Sequence, residues 1–554
     1  MDENSRTIHD DVRQRAVELL EADVGRRHLA RELGVSDATA RQWARAFAVG
    51  GAEAVLNAGS HRKVYDYETK LAAVKEHVER GKSVRDVMVK YQIPSESSLK
   101  AWCRAYRRDG AHALVNKRRG RKPGLRQNPR RRSISRGVAR VLSWSAVKHS
   151  RLPRAAEGSS MLNAIEIAPK VWWVGGLDWN ERQFHGYTTE RGITYNAYLI
   201  MDEKVTLIDT AKATFTDEFV QRISQVVDPA KIDVVITNHV EMDHSGSLPK
   251  IHELAPNATI YASAPAGVNE IRAHYGIEVE GVKTGDSLSI GERTLHFVQT
   301  PMVHWPDNMV TWCPEDGILF SNDAFGQHFA TSKRFDDEND LAEVMKQAKK
   351  YYANIVWPYG AQVQKAMGAL AGLDIKMIAP SHGVIWRSNI PAILEKYQAW
   401  STYQTEDKAV VVFDSMWHST ELMAREICDA FIKEGVTAQL IDLKHTHISD
   451  IMLYMCDARY VAVGSPTLNS NMMPTVASFL TYMRGLSPNN SQRIGIAFGS
   501  YGWAPLGPKQ VEQAMQDAKF EMPVPVITQQ WIPGEEKLTE IQDTVKKIIE
   551  DTRA

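Results

Sequence analysis

Cysteine is scarce in this chain, and the spacing of the few cysteines excludes several kinds of site. The 554 residues contain four, Cys103, Cys313, Cys428 and Cys456, and no two of them form a Cys-x-x-Cys pair. Scattered cysteines argue against a disulfide framework, a zinc ribbon or an iron site with four cysteine ligands. We therefore expect the protein to work in a reducing compartment, the cytoplasm.

Long apolar runs are also missing. No run approaches the ~20 apolar residues that cross a bilayer, and the sequence near Met1 lacks the pattern of a signal peptide. A hydrophobic content of 43% and a charged content of 24% are ordinary for a soluble globular protein. The length suggests roughly three or four domains. The sequence thus predicts a multidomain protein without a membrane segment.

The chain has no excess charge of either sign, since its formal net charge is zero, but the charges are unevenly distributed. The segment from Lys117 to Arg132, KRRGRKPGLRQNPRRR, contains nine Lys or Arg residues and no acid. Such a block repels itself and attracts polyanions. It is either a solvated linker or a contact with nucleic acid, and the composition leaves both open.

Two similar helical units precede this basic segment. In the first, within residues 1–60, Gly34 supplies a turn between two short helices and Ser36 is the candidate N-cap. The second, within residues 61–124, repeats the plan with Ser95 as the candidate cap. AFAVGGAEAVLN after the first unit is echoed by AYRRDGAHALVN after the second, which indicates an internal duplication.

These units resemble the helix-turn-helix domains of insertion-element transposases, including the basic tail KRRGRKPG. The resemblance implies an α-helical pair that contacts DNA through residues 1–132, with Ser36–Arg45 and Ser95–Arg107 as candidate recognition helices. A three-helix packing module that binds no DNA has the same pattern and is the alternative. Residues 125–160 are expected to form a basic linker.

A dense group of metal-binding residue types follows the strand-like run DVVITN. The four candidates within six positions are His239, Glu241, Asp243 and His244. Alternation along an extended chain would turn the first three to one side and leave the fourth for a second ion. Further candidates follow other strand-like runs, at His304, Asp323 and His382. Each alone is better explained as a hydrogen-bonded core residue or a turn residue, but together they indicate a metal centre.

This pattern resembles the metallo-β-lactamase superfamily, in which HxHxDH and three later residues bind two metals between two sheets. Here Glu241 replaces the second histidine, which gives the HxExDH form of flavodiiron proteins and a harder site that suits iron better than zinc. The resemblance implies one iron held by His239, Glu241 and His304, another held by Asp243, His244 and His382, and Asp323 as the bridge. Not every family member uses the histidine at position 244 as a ligand.

From about residue 405 the pattern changes to alternating strands and helices. AVVVFDS, YVAVGS and RIGIAFGS are typical of buried strands, and TELMAREICDAFIKEG predicts an amphipathic helix that ends at Gly435. Doubly wound parallel sheets of this kind bind ligands beyond the carboxyl ends of their strands. Three loops stand at those ends: Ser415, Met416, Trp417, His418, Ser419 and Thr420; Ser465, Pro466, Thr467, Leu468 and Asn469; and Gly499, Ser500, Tyr501, Gly502 and Trp503.

The chemistry of these loops suits a flavin nucleotide. The first offers hydroxyls, backbone N–H groups and a helix start to a phosphate. The third places an aromatic ring beside small residues, which can cover a flavin ring while the backbone approaches its polar edge. Taken singly, each loop is equally explained by a capping turn or a packed tryptophan. All three in this order resemble flavodoxin, which implies FMN as the cofactor.

Residues 165–550 together resemble the flavodiiron proteins through HWPDNM, FSNDAFGQH, SHGVIWR, VGSPTLN and FGSYGW. The resemblance implies an αββα metallo-β-lactamase-like di-iron domain over residues 161–404 and an α/β flavodoxin-like FMN domain over residues 405–554. It further implies an oxidoreductase that reduces dioxygen to water, nitric oxide to nitrous oxide, or both. One departure is Ala504-Pro505-Leu506, which stands where several members have glycines.

The resemblance also implies partners. Family members commonly form a head-to-tail homodimer, or a dimer of dimers, that brings the flavin of one chain to the irons of another. No electron-carrying module follows residue 554, so we expect an external donor such as a rubredoxin or a reduced flavin-type carrier. Two other functions stay open: a zinc-dependent hydrolase of the metallo-β-lactamase superfamily, and a DNA-binding sensor of gas or redox state.

Overall fold

The computed structural model describes residues 10–22, 24–56, 65, 67–78, 82, 84–91, 93, 96–109, 114, 163–487, 489–490 and 492–553. The chain divides into two compact units, Met1–Ala146 and Val147–Ala554. The predicted linker at residues 125–160 and the candidate cap Ser95 lie outside the described residues. No helix in the described part of the chain is both long and apolar enough to cross a membrane.

The described part of the first unit is helical, as predicted. Its helices are α1 (Asp10–Glu21), α2 (Arg26–Glu32), α3 (Asp37–Leu56), α4 (Tyr67–Val78), α5 (Val84–Lys90) and α6 (Glu96–Asp109). Two separate clusters of buried apolar side chains hold helices α1–α3 and α4–α6 together, the first around Trp43 and the second around Leu99. The duplication seen in the sequence is therefore a duplication of small helical cores.

The turn of the first helical group follows the predicted local chemistry. Gly34 lies at φ 62°, a left-handed conformation that costs glycine little. The Ser36 hydroxyl accepts the N–H of Thr39 at 3.1 Å, as an N-cap does. Helix α3 continues well past Arg45 and ends at Leu56, although Gly51 within it lies at φ 63°.

The second unit begins with a four-layer domain built on two sheets. Its strands are β1 (Ile165–Ala168), β2 (Val171–Trp173), β3 (Gly176–Asp178), β4 (Gln183–Phe184), β5 (Tyr187–Thr188), β6 (Ile193–Tyr195), β7 (Tyr198–Ile200), β8 (Thr206–Ile208), β9 (Val234–Thr237), β10 (Thr259–Ser263), β11 (Glu280–Val282), β12 (Ser287–Ser289), β13 (Thr294–Gln299), β14 (Met309–Cys313), β15 (Ile318–Asn322) and β16 (Met377–Pro380). Its helices are α7 (Thr216–Val226), α8 (Met242–Ser245), α9 (Leu248–Leu254), α10 (Ala266–Tyr275), α11 (Leu341–Tyr351), α12 (Gly360–Leu370) and α13 (Ile390–Ser401).

The two sheets pack face to face through a shared apolar core. A seven-stranded sheet has the order β1-β2-β7-β8-β9-β10-β11, and a five-stranded sheet has the order β12-β13-β14-β15-β16. Ile208 and Ile236 of the first sheet and Leu295 and Phe320 of the second lie in one buried cluster. Helices α7, α9 and α10 cover the outer face of the seven-stranded sheet. This is the αββα sandwich that the sequence predicts.

The rest of the second unit is a parallel sheet wound with helices. It consists of β17 (Glu406–Phe413), α14 (Ser419–Lys433), β18 (Thr437–Asp442), α15 (Ile448–Met455), β19 (Ala458–Gly464), α16 (Pro474–Leu486), β20 (Ile494–Tyr501), α17 (Leu506–Asp517), β21 (Ile527–Gln530) and α18 (Glu535–Thr552). The strand order is β18-β17-β19-β20-β21, and every pairing is parallel. The order reverses beside β17, so ligands are expected beyond the carboxyl ends of β17 and β19.

The sandwich and the parallel sheet share a continuous core. Tyr352 and Trp357, which follow α11, lie in the same buried cluster as Ile451 and Met455 of α15. Arg493 stacks on Trp357, 4.9 Å from the ring centroid, and donates to the carbonyl of Cys456 at 2.8 Å. The two parts of this unit therefore share one buried apolar core.

Candidate functional site

The seven predicted metal-binding residues converge in one buried pocket of the sandwich. They form two groups: His239, Glu241, His304 and Asp323, and then Asp243, His244 and His382. His239 follows β9 of one sheet, whereas Asp323 follows β15 and His382 follows β16 of the other. The pocket therefore lies where the ends of both sheets meet.

The route by which Asp243 and His244 reach the pocket differs from the expectation. Strand β9 ends at Thr237, and residues Met242–Ser245 form the short helix α8, so the alternation of an extended chain does not extend to position 243. His239 and Glu241 enter the first group, while the helical turn carries Asp243 and His244 into the second. The prediction that Asp243 shares a side with His239 is wrong, because the chain turns sharply after Glu241.

Asp323 stands between the two groups with one oxygen toward each. Its Oδ2 lies 3.2 Å from Nε2 of His304, and its Oδ1 lies 3.1 Å from Nε2 of His244. Glu241 Oε2 lies 3.3 Å from Nε2 of His304, and Asp243 Oδ2 lies 3.1 Å from Nε2 of His382. Ligands about 2.1 Å from a metal lie roughly 3.0–3.4 Å from one another. The spacing fits two adjacent ions that share Asp323.

Several polar atoms in this pocket lack the hydrogen bonds that burial demands. Among the described residues, both carboxylate oxygens of Asp243 and Asp323 and both ring nitrogens of His244 are buried without a hydrogen-bond partner. Such orphaned groups are costly and call for an ion or another ligand. His244 also directs Nε2 toward Asp243 at 3.3 Å. The residues present therefore fit a pair of metal ions, and His244 is placed to serve as a ligand.

Neighbouring groups orient the histidines. The Nδ1 of His239 lies 2.9 Å from Oδ2 of Asp307, and the Nδ1 of His382 lies 2.6 Å from the carbonyl oxygen of Thr194. A proton held at Nδ1 leaves Nε2 as the atom that faces the pocket, which is the usual arrangement around metal-binding histidines. Asp307 also accepts the N–H of Val240 at 2.6 Å.

The electrostatics of the pocket reflect its crowded charges. Burial lowers the pKa of His239, but Asp307, Glu241 and Asp323 outweigh it and raise that pKa well above its usual range. Burial raises the pKa of Asp323, but the surrounding histidines hold it well below its usual range. The Asp323 carboxylate is thus ionised, and it needs positive charge from protons or from metal ions.

Several residues around the pocket were not singled out from the sequence. His185, at the tip of the β4–β5 hairpin, places Nε2 2.5 Å from Oε1 of Glu241. The Tyr187 hydroxyl lies 2.5 Å from Nδ1 of His328, whose ring is centred 4.8 Å from that of His382. His328 ends the FSNDAFGQH motif, so its place after Asp323 was a usable signal. His185 stands alone in a short turn, and nothing local marks it.

A second cavity, of about 600 Å³, lies beyond the carboxyl ends of the parallel strands. Eleven of the sixteen residues predicted for flavin binding line it: Ser415, Met416, Trp417, Ser419, Pro466, Thr467, Asn469, Ser500, Tyr501, Gly502 and Trp503. Its lining also includes Ser470, Ala504, Leu506, Trp531 and Ile532, which are not among the sixteen predicted flavin residues. Ala504 and Leu506 belong to the segment that departs from the glycines of other family members.

Comparisons with known protein families match each of the three predicted parts of the chain. Residues 193–383 match the model described as ODP family beta lactamase, residues 411–545 match Flavodoxin, and residues 69–122 match Helix-turn-helix domain. The nitric oxide reductase of Moorella thermoacetica is 42% identical over 396 residues, which are 70% of this chain and 98% of that relative. The rubredoxin-oxygen oxidoreductase of Megalodesulfovibrio gigas is 41% identical over 380 residues, 67% of this chain and 94% of that one.

Solved structures show the same relationship. Rubredoxin oxygen:oxidoreductase from Desulfovibrio gigas superposes with a TM-score of 0.69 at 39% identity, covering 71% of this chain and 99% of that one. The flavodiiron protein from Giardia intestinalis gives a TM-score of 0.69 at 36% identity, with 71% and 98% covered. The chain belongs to the flavodiiron proteins. This confirms the predicted family and fold class, and it makes the chain an oxidoreductase whose cofactors are FMN and a di-iron centre.

The cavity chemistry of this flavodiiron protein fits FMN. Ser415, Ser419, Thr467 and Ser500 contribute hydroxyls to its lining. The rim carries apolar side chains that are unusually exposed, with Trp417 at 85% and Trp503 at 89%. A phosphate needs hydrogen-bond donors, and a flavin ring needs flat apolar walls. Both requirements are met within this cavity.

Five predicted flavin residues do not line the cavity, namely His418, Thr420, Ser465, Leu468 and Gly499. Thr420 is buried, and its hydroxyl lies 2.8 Å from the Ser500 hydroxyl, so it joins the first loop to the third. Gly499 has no room for a side chain, because a Cβ would collide with the carbonyl of Ser465. Thr420 and Gly499 therefore support the loops that line the cavity without lining it themselves.

Thr420→Ala tests this supporting role. The change removes a neutral hydrogen bond between two loops, which contributes about 0.5–1.5 kcal/mol. We expect the dissociation constant of FMN to rise roughly three- to tenfold, with iron content unchanged. Titration of the flavin-free protein with FMN measures the effect, and Thr481→Ala, on the exposed face of α16, is the control. An unchanged dissociation constant in Thr420→Ala would contradict the role.

Glu270 of α10 gives a pH-dependent test of the network behind His239. Burial, followed by the charge of Asp307, raises the pKa of Glu270 from 4.5 to about 7. Between pH 4.5 and about pH 7, Glu270 keeps its proton in the folded protein but has lost it in the unfolded chain. The contribution of this proton to the free energy of unfolding is therefore full below pH 4.5 and is lost as the pH rises to about 7. Glu270→Gln cannot titrate.

We therefore expect the free energy of unfolding of Glu270→Gln, relative to the native protein, to increase between pH 5 and pH 8. The increase should be on the order of 1 kcal/mol after allowance for solvent contact. Urea unfolding of the metal-free proteins at both pH values measures it, with the exposed Glu280→Gln as control. A difference that is independent of pH would show that Glu270 titrates normally.

Proposed function

We propose that this flavodiiron protein reduces dioxygen to water, nitric oxide to nitrous oxide, or both. The observation that carries the proposal is the position of Asp323, which directs one carboxylate oxygen to each of two groups of histidines and carboxylates. The relatives named nitric oxide reductase and rubredoxin-oxygen oxidoreductase support the same chemistry. A shared carboxylate between two sites is what a reaction at paired metals requires.

The proposed ligand assignment follows the two groups. His239, Glu241 and His304 would hold one iron, Asp243, His244 and His382 would hold the other, and Asp323 would bridge them. Glu241 adds a second carboxylate to the first site, which favours iron over zinc. This distinguishes the proposal from the zinc-dependent hydrolase.

The division of labour among the residues follows from their placement. When bound, reduced FMN supplies two electrons and a diferrous pair supplies two more, which matches the four that dioxygen needs. His239 and His382 present Nε2 in fixed orientations because Asp307 and Thr194 hold their Nδ1 atoms. Burial raises the pKa of Tyr187 and of Tyr351 well above the usual range, so both hydroxyls keep their protons near the pocket.

Electrons reach the FMN cavity from a separate carrier in this proposal, such as a rubredoxin or a reduced flavin-type carrier. The exposed rim of Trp417, Trp503, Trp531 and Ile532 supports a contact with another protein chain. A head-to-tail homodimer, or a dimer of such dimers, would cover this rim and bring it to the metal pocket of the partner. The cytoplasm, as a reducing compartment, is the proposed location.

Metal analysis with gas consumption tests the proposed function. Protein purified without oxygen should carry about two irons and one FMN per chain, and should consume dioxygen or nitric oxide when a reduced donor is added. Asp323→Ala should lose iron and turnover while FMN stays bound, whereas Asp374→Ala, at an exposed position, should change neither. Stoichiometric zinc with hydrolase activity would overturn the proposal. Full turnover of Asp323→Ala would overturn the ligand assignment.

We also propose that the first unit binds DNA, because residues 69–122 match a helix-turn-helix model and the segment from Lys117 to Arg132 is strongly basic. Neutralised phosphates release counterions, so log affinity falls by about 0.9 per contact for each log unit of salt. The full chain should show this salt dependence with duplex DNA, and a chain beginning at Met161 should not bind.

The shortened chain should keep iron, FMN and turnover, since every proposed ligand lies at or beyond His239. Salt-independent or absent DNA binding by the full chain would reject the DNA-binding role. Salt-sensitive DNA binding without gas turnover would instead favour the alternative of a DNA-binding sensor.

A further inference from the structure

The short hairpin formed by β4 and β5, residues Gln183–Thr188, touches both the metal pocket and the parallel-sheet part of the chain. Its strands are two residues long and pair only through Gln183 with Thr188 and Phe184 with Tyr187. The two turn residues, His185 and Gly186, lie at φ 48° and 84°. Isolated two-stranded hairpins are marginally stable even when longer. The position of this hairpin must therefore come from contacts outside it.

On one side the hairpin covers both halves of the metal pocket. His185 bonds Glu241 of the first group at 2.5 Å. The Phe184 ring is centred 6.3 Å from that of His382 in the second group. Tyr187 bonds His328, which packs edge-on against His382. A shift of the hairpin would move polar groups beside both proposed metal sites.

On the other side the hairpin is held by the first turn of α15. The backbone N–H of Thr188 donates to the Ser449 hydroxyl at 3.1 Å, and the Thr188 hydroxyl donates to Oδ1 of Asp450 at 3.2 Å. Ser449 is fixed in turn, since its carbonyl accepts from Nδ2 of Asn354 at 3.0 Å. The end of the hairpin is thus attached to the flavodoxin-like part of the chain.

A buried lysine completes this attachment. Lys350 of α11 has 3% of its side chain exposed, and its Nζ donates to the Thr188 hydroxyl at 2.9 Å. The same ammonium pairs with Asp450 at 2.5 Å and with Glu190 at 2.6 Å. A buried charge is held in place strongly, because losing one of its partners leaves it only partly compensated. Thr188 therefore meets groups from both parts of the unit at one point.

We propose that Thr188, Ser449 and Lys350 form a positioning contact through which the flavodoxin-like part holds the β4–β5 hairpin over the metal pocket. The contact fixes where His185 and Tyr187 stand relative to the two metal sites. It depends on the proposed function only for the identity of the metal. The placement of the hairpin itself is testable in the metal-free protein.

Thr188→Val is the primary test in the full chain, because it removes the hydroxyl while keeping the shape of the side chain. Hydrogen exchange of backbone amides in residues 183–188 should become roughly ten- to a hundredfold faster, with or without iron, because the lost hydroxyl bonds two charged groups, Lys350 and Asp450. Iron removal by a chelator should accelerate by a similar factor. Gas reduction should lose kcat more than KM, and the dissociation constant of FMN should stay unchanged.

Three further variants make the result specific. Ser449→Ala should reproduce the effect from the other side of the contact. Thr188→Ser should restore native exchange and native kcat, since it keeps the hydroxyl. Lys349→Met is the matched control: Lys349 stands next to Lys350 on the same helix and pairs with Asp457 at 2.6 Å, away from the hairpin. It should leave the exchange of residues 183–188 at the native rate.

Two results would overturn the proposal. One is native exchange of residues 183–188 in both Thr188→Val and Ser449→Ala. The other is equal acceleration in Lys349→Met, which would mean that general loosening between the two parts causes the effect. Native protein that holds no iron would overturn the proposed function instead, and exchange in the metal-free protein would still decide the role of the contact.

Discussion

Three carboxylates, those of Glu241, Asp243 and Asp323, lie close together in a buried pocket, and the arrangement of the sandwich depends on the positive charge that balances them. Buried carboxylates without cations would repel one another and would shift toward the protonated form. The surrounding histidines supply part of the positive charge and hold the pKa of Asp323 well below its usual range. A metal pair can supply charge at the same atoms and also satisfy the oxygens that accept no hydrogen bond. The pocket is therefore built for ions, and its stability is tied to them.

The shared core between the sandwich and the parallel sheet fixes the relative positions of the two cofactor sites within this unit. Two buried polar contacts cross this junction: Asn354 donates to the carbonyl of Ser449, and Lys350 pairs with Asp450. Buried polar contacts tolerate little displacement, because each has a single favourable geometry. The apolar packing around Trp357 adds buried surface area, but apolar contacts do not select one geometry. Together they make the relation between the metal pocket and the flavin cavity a fixed property of each chain.

The sequence predicted those parts of the sites that are local in the chain. The family motif placed His239, Glu241, Asp243 and His244 after a strand, and the structure brings them into one pocket. The loop at Ser415 precedes a helix, as its composition indicated. Prediction of side-chain direction failed where the chain turned from strand to helix after Glu241. Single-sequence patterns carry the local periodicity of a strand but not the point at which tertiary contacts end it.

Contacts between distant segments could not be predicted in the same way. His185 and Trp531 carry no local motif, yet one reaches Glu241 and the other lines the flavin cavity. Thr420 had the residue type of a phosphate contact, and only its burial against Ser500 shows its supporting role. Such features depend on which loops the fold brings together.

The proposed ligands come from both sheets of the sandwich, with His239 following β9 and His382 following β16. Two metal ions held by these ligands would link the two sheets of the sandwich and would join segments that are far apart along the chain. Closing such a long loop costs conformational entropy that grows slowly with its length, and bound metal repays this cost only in the folded state. Loss of metal would thus loosen this end of the sandwich first. The loosened segments would then be open to proteolysis, so a chain that has lost its metal would be degraded faster than an intact one.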